Sequence, residues 1–325
     1  MHQSVPVRRI EAIDLARGLA LIAMAVYHFA WDLEFFGYAD PGMTAVGGWK
    51  FFARSIASSF LFLVGVSLYL AHAKGIRWTG FWRRLFMVAG AAAAITLVTW
   101  LATPESFIFF GILHQIAVAS LLGLLFVGLP WPLVFTIAVA VIAAPFWLAT
   151  PALDAPFWWW TGLSEIRPRS NDYVPLFPWF GAVLCGIAAA GASQQAGILD
   201  RLARLAIPRW SGLLGFAGRH SLAFYLLHQP VLIACVFLFA QVFPPERETP
   251  QVQFRQACEA TCSAERSAEF CSFYCVCVLD AVERENLLDA VFSSDQNGAT
   301  RSRLTEMADI CTAETSQKLD EGGSQ

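Results

Sequence analysis

Residues 18–36 read GLALIAMAVYHFAWDLEFF. The run is almost wholly apolar and long enough to cross a bilayer as a helix, which takes roughly 20 residues. Six more windows of the same kind follow, at Ile56–Ala73, Leu85–Thr103, Phe107–Val127, Pro132–Thr150, Val174–Ala192 and Ser221–Phe243. Charged residues make up 14% of the chain against about 25% in an average soluble domain, too little polar surface to cover a globule in water. Trp49, Trp78, Trp82, Trp131 and Trp158–Trp160 gather near window ends, where an amphipathic ring suits the lipid headgroups. The first window carries Asp32 and Glu34 and meets no small-residue cleavage site, so it reads as a retained span rather than a secretory leader. The expected fold is all-α: a polytopic bundle of about seven transmembrane helices, followed by a small cysteine-rich helical tail.

Charge divides the chain. Residues 1–243 hold 15 basic and 10 acidic side chains, residues 244–325 hold 7 and 15, so the two parts face different surroundings. The tail itself splits into a cysteine-rich helical hairpin over 244–292 and a stretch rich in Ser, Thr, Asp, Gln and Gly over 293–325, which reads as loosely ordered. Neither part carries a basic surface of the size nucleic acid would need. Eleven Lys and Arg fall in the loops on the side of the N-terminus and four in the loops opposite, which places the N-terminus in the cytoplasm. Seven spans then carry the tail outside. A further half-helix near Trp210–Ala217 would reverse that.

Few polar residues lie at membrane depth. Arg17, Leu21, Met24, His28 and Asp32 share one helical stripe, because residues three or four apart share a face. A carboxylate at that spacing can orient an imidazole as a general base, the role expected of His28 and Asp32. The alternative is a His and an Asp that satisfy one another between helices. His114-Gln115 and His228-Gln229 read either as an oxyanion or acceptor pocket or as interhelical hydrogen bonds. Pro178-Trp179 and Pro230 are expected to break helices near the site. No cluster of His, Cys and carboxylates in the membrane part has metal-ligand spacing, so no metal is expected.

In the tail, Cys258-x3-Cys262-x8-Cys271-x3-Cys275 places two cysteine pairs on helical faces with room for the chain to reverse. Nested disulfides, Cys258 to Cys275 and Cys262 to Cys271, would staple an antiparallel hairpin. Zinc on four thiolates is the competing reading. Docking of a partner is a possible role of the tail. Cys185 and Cys235 read as ordinary residues of apolar helices.

The run Arg9-x4-Asp14-x2-Arg17-Gly18-x9-His28 resembles the opening of membrane acyltransferases that carry acyl groups from coenzyme A to sugars. With His28-x2-Trp31-Asp32-Leu33 it is most similar to the heparan-α-glucosaminide N-acetyltransferase family and its bacterial relatives. The resemblance continues through Phe110–Gln115, Pro175–Gly181 and Gly218–Pro230. It implies acetyl-CoA or another acyl-CoA as donor, a sugar-containing acceptor with an amine or hydroxyl, and a place in a bacterial inner membrane. It also implies His28 and Asp32 as catalytic residues, with Arg9 and Arg17 on the coenzyme A phosphates. His114, Gln115, Trp179, Tyr225, His228 and Gln229 would form the substrate or oxyanion pocket. For Arg9 and Arg17 the plainer alternative is topology marking. The competing function is a non-enzymatic transporter or assembly factor in which the intramembrane His and Asp relay protons or fix packing.

Overall fold

The computed structural model describes residues 10–204, 212–245, 249–263, 266–292 and 298–322, and these are helical with turns and no strand. The chain separates after Pro244 into two compact units. The first holds α1 (Glu11–Phe35), α2 (Gly47–His72), α3 (Trp78–Ala102), α4 (Ile112–Gly123), α5 (Trp131–Ala143), α6 (Pro145–Leu148), α7 (Leu176–Gln195), α8 (Ile198–Leu202), α9 (Gly212–Arg219) and α10 (Ser221–Val242). Five of them (α1, α2, α3, α7 and α10) are long and apolar enough to cross a membrane.

Each expected window holds an apolar helix, but two helices are shorter than their windows. α4 has 12 residues and α5 has 13. Residues 107–111 are not helical and bend into α4, and Pro145 opens the separate short helix α6. The half-helix considered near Trp210 is present as α9, although Trp210 itself lies outside the described residues. Pro178 marks a break: Phe177 leaves helical geometry and the Phe177–Pro178 peptide is cis. Pro230, expected to break its helix, stands inside an uninterrupted α10. There it removes one backbone N–H, so the carbonyl one turn earlier lacks its helical donor.

The main core is built by α2, α4, α5 and α7, with Leu61, Val134, Val183 and Leu184 fully buried. Helices in lipid gain little from hiding apolar surface and instead associate through close backbone contact at small residues. Glycines supply that contact twice. An added Cβ at Gly65 would overlap the Val183 carbonyl, and one at Gly186 the Phe62 carbonyl, so α2 and α7 touch without side chains between them. Gly18 against Leu214 and Gly218 against Asp14 do the same for α1 and α9.

The second unit holds α11 (Pro250–Cys262), α12 (Ala268–Arg284), α13 (Leu288–Phe292) and α14 (Gly298–Gly322). Cys258 is joined to Cys275 and Cys262 to Cys271, clamping α11 onto α12. A third bond, Cys277 to Cys311, ties α12 to α14. Most of the segment read as loosely ordered is therefore a 25-residue helix. Its apolar positions are sparse but well placed: Leu304, Met307 and Cys311 meet Val278 and Val282. Arg303 adds ion pairs to Glu285 and Glu306.

Two outcomes follow from this packing. Gly65→Leu should lower the thermal transition in detergent, by about 1–3 kcal/mol or more of overpacking. Gly90→Leu on α3, where an added Cβ meets nothing, should leave it near wild type. Equal transitions for the two variants would deny the close crossing. In the tail, replacing Cys277 and Cys311 with Ser should cost about 2–4 kcal/mol. That loss should appear as faster amide exchange across residues 298–322, and unchanged exchange would mean that Leu304 and Met307 alone hold α14.

Candidate functional site

Helices α1 and α10 face one another across the polar residues of the first unit. The rings of His28 and His228 meet edge to face with centroids 4.9 Å apart. One turn further along α1, Asp32 is completely buried and accepts a hydrogen bond from Gln229 Nε2 at 2.6 Å. Among the described residues no hydrogen bond joins His28 to Asp32, so the two do not form the expected pair. Helical spacing puts the two on one stripe, but each turns to its own partner on α10, the carboxylate to an amide donor and the imidazole to a second imidazole.

Hydrogen bonds settle the protons of His228. Its Nδ1 lies 2.6 Å from the Tyr225 carbonyl oxygen, which can only accept, so Nδ1 carries a proton, and in the neutral ring Nε2 holds a lone pair. That Nε2 is buried without a partner, as are Asp32 Oδ2 and Gln229 Oε1. Because Gln229 Nε2 serves Asp32, all three unpartnered atoms on these two helices are acceptors. Buried polar atoms are nearly always bonded, so such a group is a cost to the fold that a bound donor would remove.

The other expected residues divide. Tyr225 stands beside His228, 5.7 Å between ring centroids, and packs against the clusters around α1, α3 and α4. His114 is fully engaged: Gly111 N–H donates to its Nδ1 at 3.2 Å, leaving Nε2–H to donate to Thr96 Oγ1 at 3.1 Å. Thr96 in turn donates to the Ile108 carbonyl at 2.7 Å. His114 thus fastens the start of α4 to α3 and has no free nitrogen for an oxyanion. Gln115, one residue on, is completely buried with neither amide atom bonded. Trp179 packs half-buried on the main core, and among the described residues no hydrogen bond or ring contact joins it to the His28 group. Arg17 is held by Asp14 at 2.9 Å and donates to Ser67 Oγ. Arg9 lies outside the described residues.

Asp172, in the loop before α7, is a further acid of this unit. Its carboxylate accepts from the Ile112 N–H at 2.8 Å at the start of α4, where a negative charge meets the positive end of the helix. Burial pushes its carboxyl up to about 6, with the Ile112 N–H acting the other way. It lies close enough to Tyr27 and Tyr225 for its charge to act on both. The available signal was an acid lodged between apolar windows, directly before Pro175–Gly181. Glu34 is likewise taken up, by Gly42 N–H and by Thr44 N–H and Oγ1 at 2.7–2.9 Å, closing the turn between α1 and α2. The described residues offer one grouping of three potential ligands, Cys277, Cys311 and Glu314, and its two cysteines are joined in a disulfide.

A family model described as Heparan-alpha-glucosaminide N-acetyltransferase, catalytic, matches residues 9–230. No curated protein and no solved structure matches the chain. The matched stretch contains His28, Asp32, Tyr225, His228 and Gln229.

The bond between Asp32 and Gln229 sets a double-mutant test. Gln229→Leu alone should destabilise the protein by about 2–3 kcal/mol, because it leaves a buried carboxylate without its donor. Adding Asp32→Leu should recover much of that loss. Additive effects in thermal unfolding would show that the two side chains are not coupled.

Proposed function

The chain belongs to the heparan-alpha-glucosaminide N-acetyltransferase catalytic family, and on that footing we propose that it moves an acetyl or longer acyl group from acyl-coenzyme A to the amine of a sugar-containing acceptor within the membrane. The observation that carries the reading is the set of buried lone pairs on α1 and α10, at Asp32 Oδ2, Gln229 Oε1 and His228 Nε2. A hydroxyl brings one donor to such a site, whereas an amine or ammonium brings two or three. Three acceptors without a donor therefore favour nitrogen.

In this reading the acceptor nitrogen attacks the thioester carbonyl carbon. The new C–N bond forms as the C–S bond breaks, and coenzyme A leaves as thiolate. His228 Nε2 takes the proton from nitrogen and passes it to the departing sulfur, its tautomer held throughout by the Tyr225 carbonyl. His28, against the same ring, offers an N–H to the carbonyl oxygen as negative charge builds there. Asp32, fixed by Gln229, binds the acceptor amine with its free oxygen. The carboxylate thus serves the acceptor rather than His28. Arg17 lies 11 positions before His28, about 16 Å along the helix, a distance comparable to the pantetheine arm of coenzyme A. The N-terminus would lie in the cytoplasm of a bacterial cell, beside the donor. The three disulfides of the tail suit an oxidising compartment, so the tail would lie in the periplasm, which with α9 present takes a span count other than seven.

Transfer from labelled acetyl-CoA to glucosamine-terminated acceptors, in detergent or nanodiscs, tests this. His228→Ala and His28→Ala should each lower turnover by about 10²–10⁴-fold while the protein still binds acetyl-CoA. Replacing the acceptor amine with a hydroxyl should cost most of the activity. Full turnover in either well-folded His variant would remove that residue from the mechanism, and equal use of the hydroxyl acceptor would remove the amine preference.

A further inference from the structure

A cavity of about 550 Å³ opens between α2, α3 and α4, within the range of about 300–1,000 Å³ usual for small-molecule and cofactor pockets. Its lining includes His72, Arg77 and Arg84 and no carboxylate. Among the described residues neither the Arg77 nor the Arg84 guanidinium has a hydrogen bond or ion pair. Both lie close enough to His72 for their charges to act on its ring. Cations gathered without a counter-charge repel one another, and in a chain so poor in charge they call for an anion from outside.

The backbone adds to this. Arg77 is the residue before α3, and no side chain caps that helix. The N–H groups of Trp78, Thr79 and Gly80 have no partner inside the helix, and Thr79 and Gly80 line the cavity. Guanidiniums beside an uncapped helix start make a site for phosphate.

Two walls of the cavity border the neighbourhood of the facing imidazoles. Ser67, in its wall, accepts from Arg17, which is already neutralised by Asp14. Val88 and Ala117, also in its wall, belong to the cluster packed against Tyr225, whose ring neighbours His228. We propose that this cavity is a phosphate-binding site, in which Arg77, Arg84 and the start of α3 hold the nucleotide phosphates of the acyl donor while its arm runs past Val88 toward His228. The proposal rests on the donor assigned above, and it moves the main phosphate contacts from Arg9 and Arg17 to α3. An anionic lipid headgroup presents the same phosphate chemistry, so the test has an arm for each source.

Full-length protein in phosphatidylcholine nanodiscs is titrated with acetyl-CoA and with S-acetylpantetheine, which lacks the phosphates. Wild type should prefer acetyl-CoA. In the double variant Arg77→Gln, Arg84→Gln that preference should fall at least about tenfold, the effect of losing one charge-assisted hydrogen bond of about 1.5 kcal/mol. Arg77→Lys, Arg84→Lys should fall between, keeping charge and losing the planar fork. A folded double variant with the wild-type preference overturns the site. In the second arm, native mass spectrometry follows retention of phosphatidylglycerol. Wild type that ignores acetyl-CoA, yet retains this lipid through Arg77 and Arg84, keeps the phosphate site and removes the donor reading. Protein that shows neither acetyl-CoA binding nor arginine-dependent lipid retention overturns both.

Discussion

A polar group inside a hydrocarbon slab has no water to fall back on, and the rest of the membrane unit is arranged around that constraint. Asp14 meets Arg17, Arg17 meets Ser67, and the Gly111, His114, Thr96 and Ile108 chain closes on itself. Asp172 finds the start of α4 and Glu34 the turn after α1. Two places depart from this pairing among the described residues: Gln115 on α4, with neither amide atom bonded, and the acceptors left over on α1 and α10. The second group sits beside the two facing imidazoles, and that conjunction is what the proposed function rests on.

Much of the fold was legible because hydrophobic length is a local property. A window of about 20 apolar residues decides its own conformation, and all seven windows hold helices. Where a helix stops inside its window is set by contacts from elsewhere. The start of α4 depends on Asp172, some 60 positions away, and no periodicity in residues 107–127 announces it. Helix α14 was misread for a related reason: its composition is polar, and what orders it is a disulfide and a narrow apolar strip, both supplied by α12.

The site shows the same division. Residue identities were readable: His28, Asp32, His228 and Gln229 are conspicuous in apolar helices. Partnerships were not. Spacing of four suggested that Asp32 serves His28, yet a side chain 197 positions along the chain takes the carboxylate instead. The glycines explain part of the family resemblance in physical terms. Gly18 follows Arg17, and Gly218 begins the run that leads to His228. They lie where α1 and α9 touch, so the two motifs are one contact viewed from either side.

The nested order of the first two tail disulfides biases the sequence of their making, by about 0.6 kcal/mol for each doubling of the span to be closed. Cys262 and Cys271 are 9 positions apart, the shorter span of chain to close. Once they join, α11 and α12 lie side by side, and Cys258 is carried to Cys275 with little further loss of chain freedom. The reverse order must first close a span of 17. Cys277 and Cys311, separated by 34, gain most from being last, when both ends of a formed hairpin are already fixed. The tail is thus wired so that each crosslink shortens the search for the next.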